Sequence, residues 1–198
     1  MSHHLYHETD PHALFQRWWE EAQMHPEVQH PSVMSLATYD GTYPQVRIVL
    51  LKHFDADGFV FFTNMQSAKS RAMIDHPRVS LCFYWEALAK QIRIAGYARG
   101  ISTAQADAYF ATRPRAKQIG AWASMQSETM EHEGALQERL HEMEARFAGV
   151  DVPRPPHWSG WRVHPEIMEF WIDQPARLHD RIVFHDVDGV WTKKLLYP

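Results

Sequence analysis

The sequence predicts a mainly β (α+β) protein, an antiparallel barrel with helices packed around its outside. Turn signals divide the chain into about eight short strand-like segments, a spacing that is typical of barrels and sandwiches. Only a few helical segments interrupt these strands. Because 45% of the 198 residues are apolar, the chain can bury one sizeable core. We therefore expect a single domain over residues 1–198, with a poorly ordered, His-rich start at 1–9.

Strand and helix signals alternate through the first half of the chain. A proline directly after Asp10 is typical of a helix start, and the apolar spacing that follows extends this helix to about Met24. Within the next strands, the run 47–52 is apolar between two terminal cations, which favours a strand buried on both faces. Its hairpin partner is expected at 59–63, across a turn that contains Asp and Gly. The strands predicted here are 33–39, 43–53 and 59–63.

The second half of the chain continues this pattern. Ser67 is expected to cap a short helix, and Ser102 begins a capping box at the start of another. Residues 115–127 contain glycine and serine and are predicted to form a loop, whereas apolar residues at helical spacing predict an amphipathic helix that ends at Gly149. Further strands are predicted at 79–85, 91–100, 161–164, 167–171, 181–185 and 190–196.

Composition excludes several classes of function. The formal net charge of −4 gives no basis for nucleic-acid binding, which uses clustered positive charge. One cysteine, Cys82, excludes an intrachain disulfide and is expected to be a buried strand thiol. No apolar run approaches the ~18 residues of a membrane helix and the start has no secretory signal, so we expect a cytoplasmic protein with no membrane contact. The histidine spacing predicts no metal site, and there is no glycine-rich phosphate loop.

Cations from separate segments form the first candidate site. The two cations that end the run 47–52 lie close in sequence to the helix start at Ser67, and a helix start with nearby cations favours a phosphate. The alternative is that these cations are ordinary solvated charges at strand ends and on a helix surface. The residues of this predicted anion pocket are Arg47, Lys52, Thr63, Lys69 and Arg71.

The stretch Arg-Leu-His-Asp-Arg at 177–181 is the second candidate site. If it is a strand, the side chains of Arg177, His179 and Arg181 point to one side. Two guanidiniums beside an imidazole indicate recognition of a phosphate or carboxylate, with His179 as a donor or proton carrier. The alternative is a surface strand with solvated charges.

These segments together resemble the pyridoxine/pyridoxamine 5′-phosphate oxidase family, the FMN-dependent enzymes of vitamin B6 metabolism. The resemblance runs from Asp10 to the C terminus. Its motifs are Gln-Val-Arg-Ile-Val-Leu-Leu-Lys at 45–52, Phe-Phe-Thr-Asn at 61–64, Tyr109 with Arg-Pro-Arg at 113–115, Gln-Ile-Gly-Ala-Trp at 118–122, Gln-Ser at 126–127 and the stretch at 177–181.

The resemblance implies an FMN-binding split barrel in a homodimer, with two FMN sites at the subunit interface and a dimerisation and substrate segment at 152–198. Positions that match FMN-contacting residues are Arg47, Ile48, Val49, Leu50, Leu51, Lys52, Phe62, Thr63, Lys69, Gln91, Gln126, Ser127, Trp171 and Arg181. Positions that match the substrate site are Lys52, Tyr109, Arg113, Lys117, Arg177 and His179, of which Arg177 and His179 are the implied catalytic pair.

The implied reaction is oxidation of pyridoxamine or pyridoxine 5′-phosphate to pyridoxal 5′-phosphate, with O2 as the electron acceptor and H2O2 as a product. Two positions differ from the family's usual pattern. Ala68 stands where an arginine commonly precedes the lysine, so fewer guanidiniums would hold the FMN phosphate, with Arg71 as a candidate substitute. Lys117 stands where a serine is usual in the substrate-phosphate site, which replaces a hydroxyl with a point charge or marks a shifted substrate preference.

Two alternatives remain open from the sequence. The phenazine-biosynthesis oxidases share this barrel and FMN site but oxidise large tricyclic carboxylates. The stretch at 177–181, with Tyr109 and Arg113, favours the vitamin B6 substrate, whereas Lys117 keeps the phenazine alternative open. The second alternative is a non-catalytic split-barrel protein that binds a flavin or pyridoxal phosphate as a carrier or sensor.

Overall fold

The computed structural model describes residues 5–198, which form a nine-stranded antiparallel sheet with five α-helices around it. The strands are β1 Val33–Tyr39, β2 Pro44–Leu50, β3 His53–Asp55, β4 Gly58–Asn64, β5 Arg78–Trp85, β6 Lys90–Gly100, β7 Trp158–Ile172, β8 Asp180–Val187 and β9 Val190–Leu196. The helices are α1 Pro11–Met24, α2 Ala68–Asp75, α3 Thr103–Ala111, α4 Arg115–Ala123 and α5 Ala135–Arg146. The predicted mainly β, antiparallel class is confirmed.

Strand β7 organises the sheet because it is 15 residues long and serves three neighbours. One edge of β7 pairs with β6 along its length, while the other edge pairs first with β4 and then with β8. The remaining order is β2-β1-β5-β6 on one side and β4-β3 on the other, with β9 beside β8. A register shift at Gly96 lets β6 approach β7 closely, since a Cβ there would lie 1.9 Å from the carbonyl oxygen of His164.

The main core lies between α1 and the sheet. Helix α1 begins as predicted, with the Asp10 carboxylate accepting hydrogen bonds from the backbone N–H groups of His12 and Ala13. Its Phe15 side chain is fully buried and contacts the rings of Phe54 and Phe59 edge-on, each at a centroid distance of 4.8 Å.

A second, smaller core fixes α3, α4 and α5 against the start of β7. Its centre is Trp158 of β7, which meets Phe110 of α3 edge-on at 5.1 Å. Ile119 of α4 and Met143 of α5 are buried in the same cluster. This three-helix layer forms one wall of the cleft described below.

The prediction of a loop at 115–127 is wrong for its first part. Residues Arg115–Ala123 form helix α4, which starts directly after Pro114 and buries Ile119 and Ala123 against the second core. The glycine at 120 lies in a helix whose buried face outweighs the ~1 kcal/mol that glycine costs relative to alanine.

The predicted double burial of residues 47–52 is also wrong for the single chain. Strand β2 is the edge of the sheet, and its Val46 and Ile48 side chains remain 67% and 60% exposed. Its hairpin partner is β1, not β4, because the chain bends after Leu50 and the short strand β3, not β2, pairs with β4. Val46, Ile48 and Leu50 alternate along one exposed face of β2. An edge strand with such a face is suited to packing against another surface.

The expectation of a poorly ordered start at 1–9 is wrong for residues 5–9, and residues 1–4 lie outside the described residues. Leu5–His7 form a 3₁₀ turn with Leu5 buried in the main core. The Lys193 Nζ of β9 donates hydrogen bonds to the carbonyl oxygens of Tyr6 and Glu8, at 2.6 and 2.8 Å. Between residues 5 and 198, no helix is both long enough and apolar enough to cross a membrane.

Candidate functional site

A cleft of about 400 Å³ opens between the end of β2, the face of β4 and the layer of α3 and α4. It contains no carboxylate among its lining side chains in residues 5–198. The predicted site residues that line it are Ile48, Val49, Leu50, Lys52, Phe62, Thr63, Lys69, Tyr109, Arg113, Lys117 and Gln126. The structure therefore brings most of the predicted residues, from five separate segments, to one place.

Lys69, in the first turn of α2, is the most desolvated lysine of this cleft. Its Nζ donates to Thr63 Oγ1 at 3.1 Å, Ser67 Oγ at 3.0 Å and Gln126 Oε1 at 2.9 Å, all of them neutral acceptors. Burial, assisted by the charge of Arg47, lowers the pKa of Lys69 to about 8. A half-buried ammonium with only neutral acceptors around it favours the approach of an anion.

Arg47 of β2 does not line the cleft, but its charge helps to lower the pKa of Lys69. Its Nη1 donates to Thr38 Oγ1 at 2.7 Å and to the carbonyl oxygens of Leu36 and Gln45, each at 3.2 Å. Burial lowers the pKa of this guanidinium, and no carboxylate in residues 5–198 forms an ion pair with it. Arg47 and Lys69 are thus two cations held by neutral oxygens.

Arg113 occupies the opposite wall of the cleft. Its guanidinium lies over the ring of Trp158 at 4.6 Å, and its Nη1 is buried with no hydrogen-bond partner in residues 5–198. Burial also lowers the pKa of Arg113. Because buried N–H groups are nearly always hydrogen-bonded in proteins, this orphaned donor indicates a ligand that accepts from it.

Three stacked rings form the apolar part of this wall. Phe62 of β4 stacks on Tyr109 of α3 at 4.0 Å and on Trp158 at 5.2 Å, with interplanar angles of 16° and 9°. Burial raises the pKa of the Tyr109 phenol, while the charge of Arg113 opposes that shift. The phenol therefore stays protonated at neutral pH and remains a hydrogen-bond donor.

Lys52 and Lys117 complete the positive surface of the cleft. Burial lowers the pKa of the Lys52 ammonium, and the charges of Lys117 and Arg113 lower it further. No hydrogen bond or ion pair to a described residue engages the side chain of either lysine. Three cations that repel one another across one opening fit a multiply charged anion, such as a phosphate.

Five other predicted residues form a second group, which we call the C-terminal group. They are Gln91 on β6, Trp171 on β7, Arg181 on β8, and Arg177 and His179 directly before β8. Gln91 of β6 is the register partner of Trp171 of β7, and Trp171 is in turn the partner of Arg181 of β8. The Trp171 ring lies 4.6 Å from the imidazole of His179. In the single chain, none of these described side chains lines the cleft.

Arg181 differs from the cations of the cleft because it has a carboxylate partner. Its Nε and Nη2 both donate to Glu169 Oε1, at 3.0 and 2.6 Å, and its Nη1 donates to the carbonyl oxygen of Tyr197 at 3.1 Å. Glu169 also pairs with Arg93 at 3.0 Å. This network fixes β8 against β7.

The predicted strand through 177–181 is wrong for its first residues. Pro175–Arg177 form a 3₁₀ turn in which Ala176 and Arg177 have φ values of +57° and +61°, and β8 begins only at Asp180. Arg177 and His179 therefore project from a tight turn and not from an alternating strand. Since left-handed backbone is unfavourable for non-glycine residues, the surrounding contacts must hold this turn in place.

His179 is oriented by two neighbours at one ring nitrogen. Its Nδ1 lies 2.9 Å from Asp173 Oδ1 and 3.2 Å from the backbone N of Gln174. A protonated Nδ1 donates to Asp173, whereas an unprotonated Nδ1 accepts from the Gln174 N–H. Nε2 has no hydrogen-bond partner among residues 5–198, so it is the ring nitrogen that can meet a ligand.

Three other predicted residues lie outside the cleft. Arg71 pairs with Glu128 at 3.0 Å on an exposed surface and does not line the cleft. Leu51 is buried in the main core, behind the strand end that lines the cleft. Ser127, with φ +75°, lines a separate cavity of about 460 Å³ beneath the segment 123–139.

Sequence reasoning missed the residues that shape the cleft and support the turn. Trp158 lies on the far side of the proline connector from α3, so no local spacing links it to Arg113. Asp180 was only part of a motif, yet it is buried and accepts hydrogen bonds from Tyr6 and Gln174. A carboxylate at the first position of a strand was the one signal available for it.

Two family models match the chain. Residues 21–150 match the model described as pyridoxamine 5′-phosphate oxidase. Residues 158–198 match the model described as the pyridoxine 5′-phosphate oxidase C-terminal dimerisation region. The second match contains β7, β8 and β9, and with them Trp171, His179 and Arg181 of the C-terminal group.

Relatives and solved structures agree with these matches. The chain is 50% identical over 192 residues to the pyridoxine/pyridoxamine 5′-phosphate oxidase of Caulobacter vibrioides, covering 96% of this chain and 86% of that protein. It superposes on PhzG from Burkholderia lata 383 in complex with tetrahydrophenazine-1-carboxylic acid with a TM-score of 0.90, at 29% identity over 97% of this chain and 94% of that one. A pyridoxamine 5′-phosphate oxidase-related, FMN binding protein from Nostoc punctiforme PCC 73102 has the same fold, with a TM-score of 0.76 at 17% identity over 96% and 100% of the two chains.

The structural neighbours confirm the split-barrel fold that the sequence resemblance implied. The first family model spans more than half of the 198 residues. Together with the 50% identity over nearly the full length of the chain, it shows that this protein belongs to the pyridoxamine 5′-phosphate oxidase family.

Proposed function

We propose that the protein oxidises pyridoxamine 5′-phosphate or pyridoxine 5′-phosphate to pyridoxal 5′-phosphate with bound FMN, using O2 and releasing H2O2. One observation carries the structural side of this proposal: the cleft has several desolvated cations, stacked aromatic rings and no carboxylate among its described lining residues. Two phosphorylated, aromatic molecules are the kind of ligand that such a surface binds.

The end of the cleft at Arg47 and Lys69 fits the FMN phosphate. Both cations have neutral acceptors only, and burial lowers the pKa of each. Thr63 and Gln126, which accept from Lys69, would turn toward the same phosphate or the ribityl chain. The exposed strand end at 48–50 would lie along the cofactor. Because Ala68 has no charge and Arg71 is paired, this phosphate would be held by one guanidinium and one ammonium.

The other end of the cleft fits the substrate phosphate. Arg113 has a buried donor without a partner, Tyr109 is a protonated phenol beside it, and Lys52 and Lys117 add two further charges. A phosphate that accepts from Arg113 Nη1 would satisfy the one orphaned buried side-chain atom recorded in residues 5–198. The ring of Trp158, which stacks on Phe62, packs against this guanidinium.

A homodimer would supply the second half of each site. The C-terminal group does not line the cleft of its own chain, and it lies in the segment that matches the family's dimerisation region. The apolar face of β2, with Val46, Ile48 and Leu50 exposed, provides a surface for the partner subunit beside the cleft. We infer that Gln91, Trp171, Arg177, His179 and Arg181 of one subunit complete the cleft of the other.

In this arrangement the residues position the substrate and manage its protons. Arg113, Tyr109 and Lys52 hold the substrate phosphate, while Arg177 and His179 orient the ring and its C4′ substituent. The Nε2 of His179 is free to exchange a proton with the substrate's hydroxyl or amine, because Nδ1 is engaged by Asp173 and Gln174. The flavin, when bound, supplies the hydride acceptor and the reaction with O2.

The phenazine-biosynthesis reaction is the second candidate, favoured by the TM-score of 0.90 to PhzG. Against it stand the 50% identity to a pyridoxine/pyridoxamine 5′-phosphate oxidase and the number of cations in the cleft, which suit a dianionic phosphate better than a monoanionic carboxylate. A non-catalytic flavin or pyridoxal phosphate binder is the third candidate.

One assay separates these candidates. The purified protein is loaded with FMN and supplied in turn with pyridoxamine 5′-phosphate, pyridoxine 5′-phosphate, unphosphorylated pyridoxine and a dihydrophenazine carboxylate, and H2O2 release is measured. We expect turnover with the two phosphorylated vitamers only. Turnover with the dihydrophenazine alone would establish the second candidate, and FMN binding without peroxide from any substrate would establish the third.

A further inference from the structure

The turn that carries Arg177 and His179 is held from a distant part of the chain. Asp180, directly after His179, is buried and accepts a hydrogen bond from the hydroxyl of Tyr6, 174 positions earlier in the sequence. The same carboxylate accepts from Gln174 Nε2 at 2.7 Å. Gln174 in turn donates its backbone N–H to His179 Nδ1. A continuous chain of hydrogen bonds therefore joins Tyr6 to the His179 ring.

The N-terminal segment 5–8 is itself anchored to the rest of the protein, so it can hold Tyr6 in one position. Leu5 is buried in the main core, and Lys193 of β9 donates to the carbonyl oxygens of Tyr6, within the 3₁₀ turn, and Glu8, directly after it. Tyr6 and His179 also line the same cavity of about 450 Å³, together with the last residues of β9. The Tyr6 hydroxyl is therefore held in place and can fix the position of Asp180 beside the turn.

The turn needs such a support. Ala176 and Arg177 both have positive φ values, which non-glycine residues adopt only when their surroundings enforce them. Asp180 has no cation partner among residues 5–198, since Arg181 is engaged by Glu169. Its two neutral donors, Tyr6 and Gln174, are what hold its buried carboxylate in one orientation.

We propose that Tyr6 is a positioning residue for the oxidation reaction: through Asp180 and Gln174, its hydroxyl sets the orientation of His179. This inference depends on the function proposed above for His179, but its structural half does not. Tyr6 does not line the cleft. Its hydroxyl acts on His179 only through the hydrogen bonds of Asp180 and Gln174.

The test is the variant Tyr6→Phe, which removes one oxygen and keeps the ring. We expect kcat to fall about tenfold, since a small misplacement of a catalytic group is enough for such a loss. FMN affinity and the unfolding temperature should stay close to wild type. The matched control is Tyr39→Phe, which removes a hydroxyl that donates to the Gly41 carbonyl oxygen at 2.8 Å on the opposite side of the sheet order. Its kcat should stay within about twofold of wild type.

Two further measurements distinguish positioning from general damage. In a His179→Ala background, Tyr6→Phe should cause no additional loss of kcat, because the residue through which it acts is gone. Amide hydrogen exchange over residues 173–180 should be faster in Tyr6→Phe and unchanged in Tyr39→Phe. Gln174→Met breaks the next link and should reproduce both effects without adding to those of Tyr6→Phe.

Each result decides the inference. An unchanged kcat in Tyr6→Phe would overturn it, and so would an equal loss in the wild-type and His179→Ala backgrounds. If the wild-type protein oxidises neither vitamer, the proposed function fails on its own, and the exchange data judge Tyr6: faster exchange over 173–180 supports its positioning of the turn, and unchanged exchange overturns it.

Discussion

The cleft and the C-terminal group both contain several cations, but the partners of these cations differ between the two regions. In the cleft, Lys69 has neutral partners and Arg113 an orphaned donor, and Arg47 beside the cleft also has neutral partners. In the C-terminal group, Arg181 is held by two bonds to Glu169. A cation with a carboxylate partner is part of the scaffold, whereas a desolvated cation without one is prepared for an incoming anion. The same residue type therefore has a structural role in one region and, in the function proposed above, a binding role in the other.

Arg177 and His179 are the exceptions within the C-terminal group, and the largest predicted effect tests them. Arg177 forms no ion pair with a described residue, and His179 keeps Nε2 free. If both act on the substrate, Arg177→Ala and His179→Ala should each lower kcat by about 100-fold or more, the usual scale of lost acid–base and orienting catalysis. FMN should remain bound, as measured by flavin fluorescence. Unchanged steady-state rates in both variants would remove their assigned role.

The second prediction concerns the orphaned donor of the cleft. Arg113→Met keeps the contact with Trp158 but removes the charge, so kcat/KM for pyridoxine 5′-phosphate should fall by about 30- to 150-fold, from roughly 2–3 kcal/mol of lost charged hydrogen bonding. The matched control is Arg146→Met, which removes a guanidinium that lies 5.0 Å from the ring of Trp122, outside the cleft. Equal losses in the two variants would mean that Arg113 acts on stability and not on the phosphate.

The third prediction uses the lowered pKa of Lys69. Burial and Arg47 bring that pKa to about 8, so the ammonium loses its proton as pH rises through about 8 and FMN affinity should fall, by about tenfold at one pH unit above the pKa. The sign for stability is opposite: above pH 8 the unfolded chain binds more protons than the folded one, so the free energy of unfolding of the FMN-free protein should rise between about pH 8 and the ordinary lysine range.

Titrations of FMN binding between pH 7 and 9 provide the measurement. Lys69→Arg is the control, because a guanidinium stays protonated throughout this range and the pH dependence should disappear. A Kd that rises equally with pH in Lys69→Arg would assign the effect to another group.

The sequence predicted the structure of the two regions to different extents. The cleft was largely predictable, because its residues come from motifs such as 45–52 and 61–64, although the prediction that residues 47–52 are buried on both faces was wrong for the single chain. The C-terminal turn was not, since period-two alternation assumes a strand, and the backbone at Ala176 and Arg177 is left-handed. Nor could local spacing reveal the contact between Tyr6 and Asp180, which depends on tertiary structure.

The smallest predicted effect belongs to Lys117, the position where the family commonly has serine. Its side chain is exposed, so its contribution to phosphate binding should be a screened, long-range attraction and not a fixed hydrogen bond. Lys117→Ser should raise KM for pyridoxine 5′-phosphate about threefold at low ionic strength with kcat unchanged.

Salt decides whether this cation belongs functionally to the cleft. At an ionic strength near 0.5 M the Debye length falls to about 4 Å, so the difference between Lys117→Ser and wild type should largely vanish. Lys194→Ser, on the exposed face of β9, removes the same charge at a position that does not line the cleft and should leave KM unchanged at both salt concentrations. A difference in Lys117→Ser that persists at high salt would show a direct contact with the phosphate, which would place Lys117 beside Arg113 as a fixed ligand.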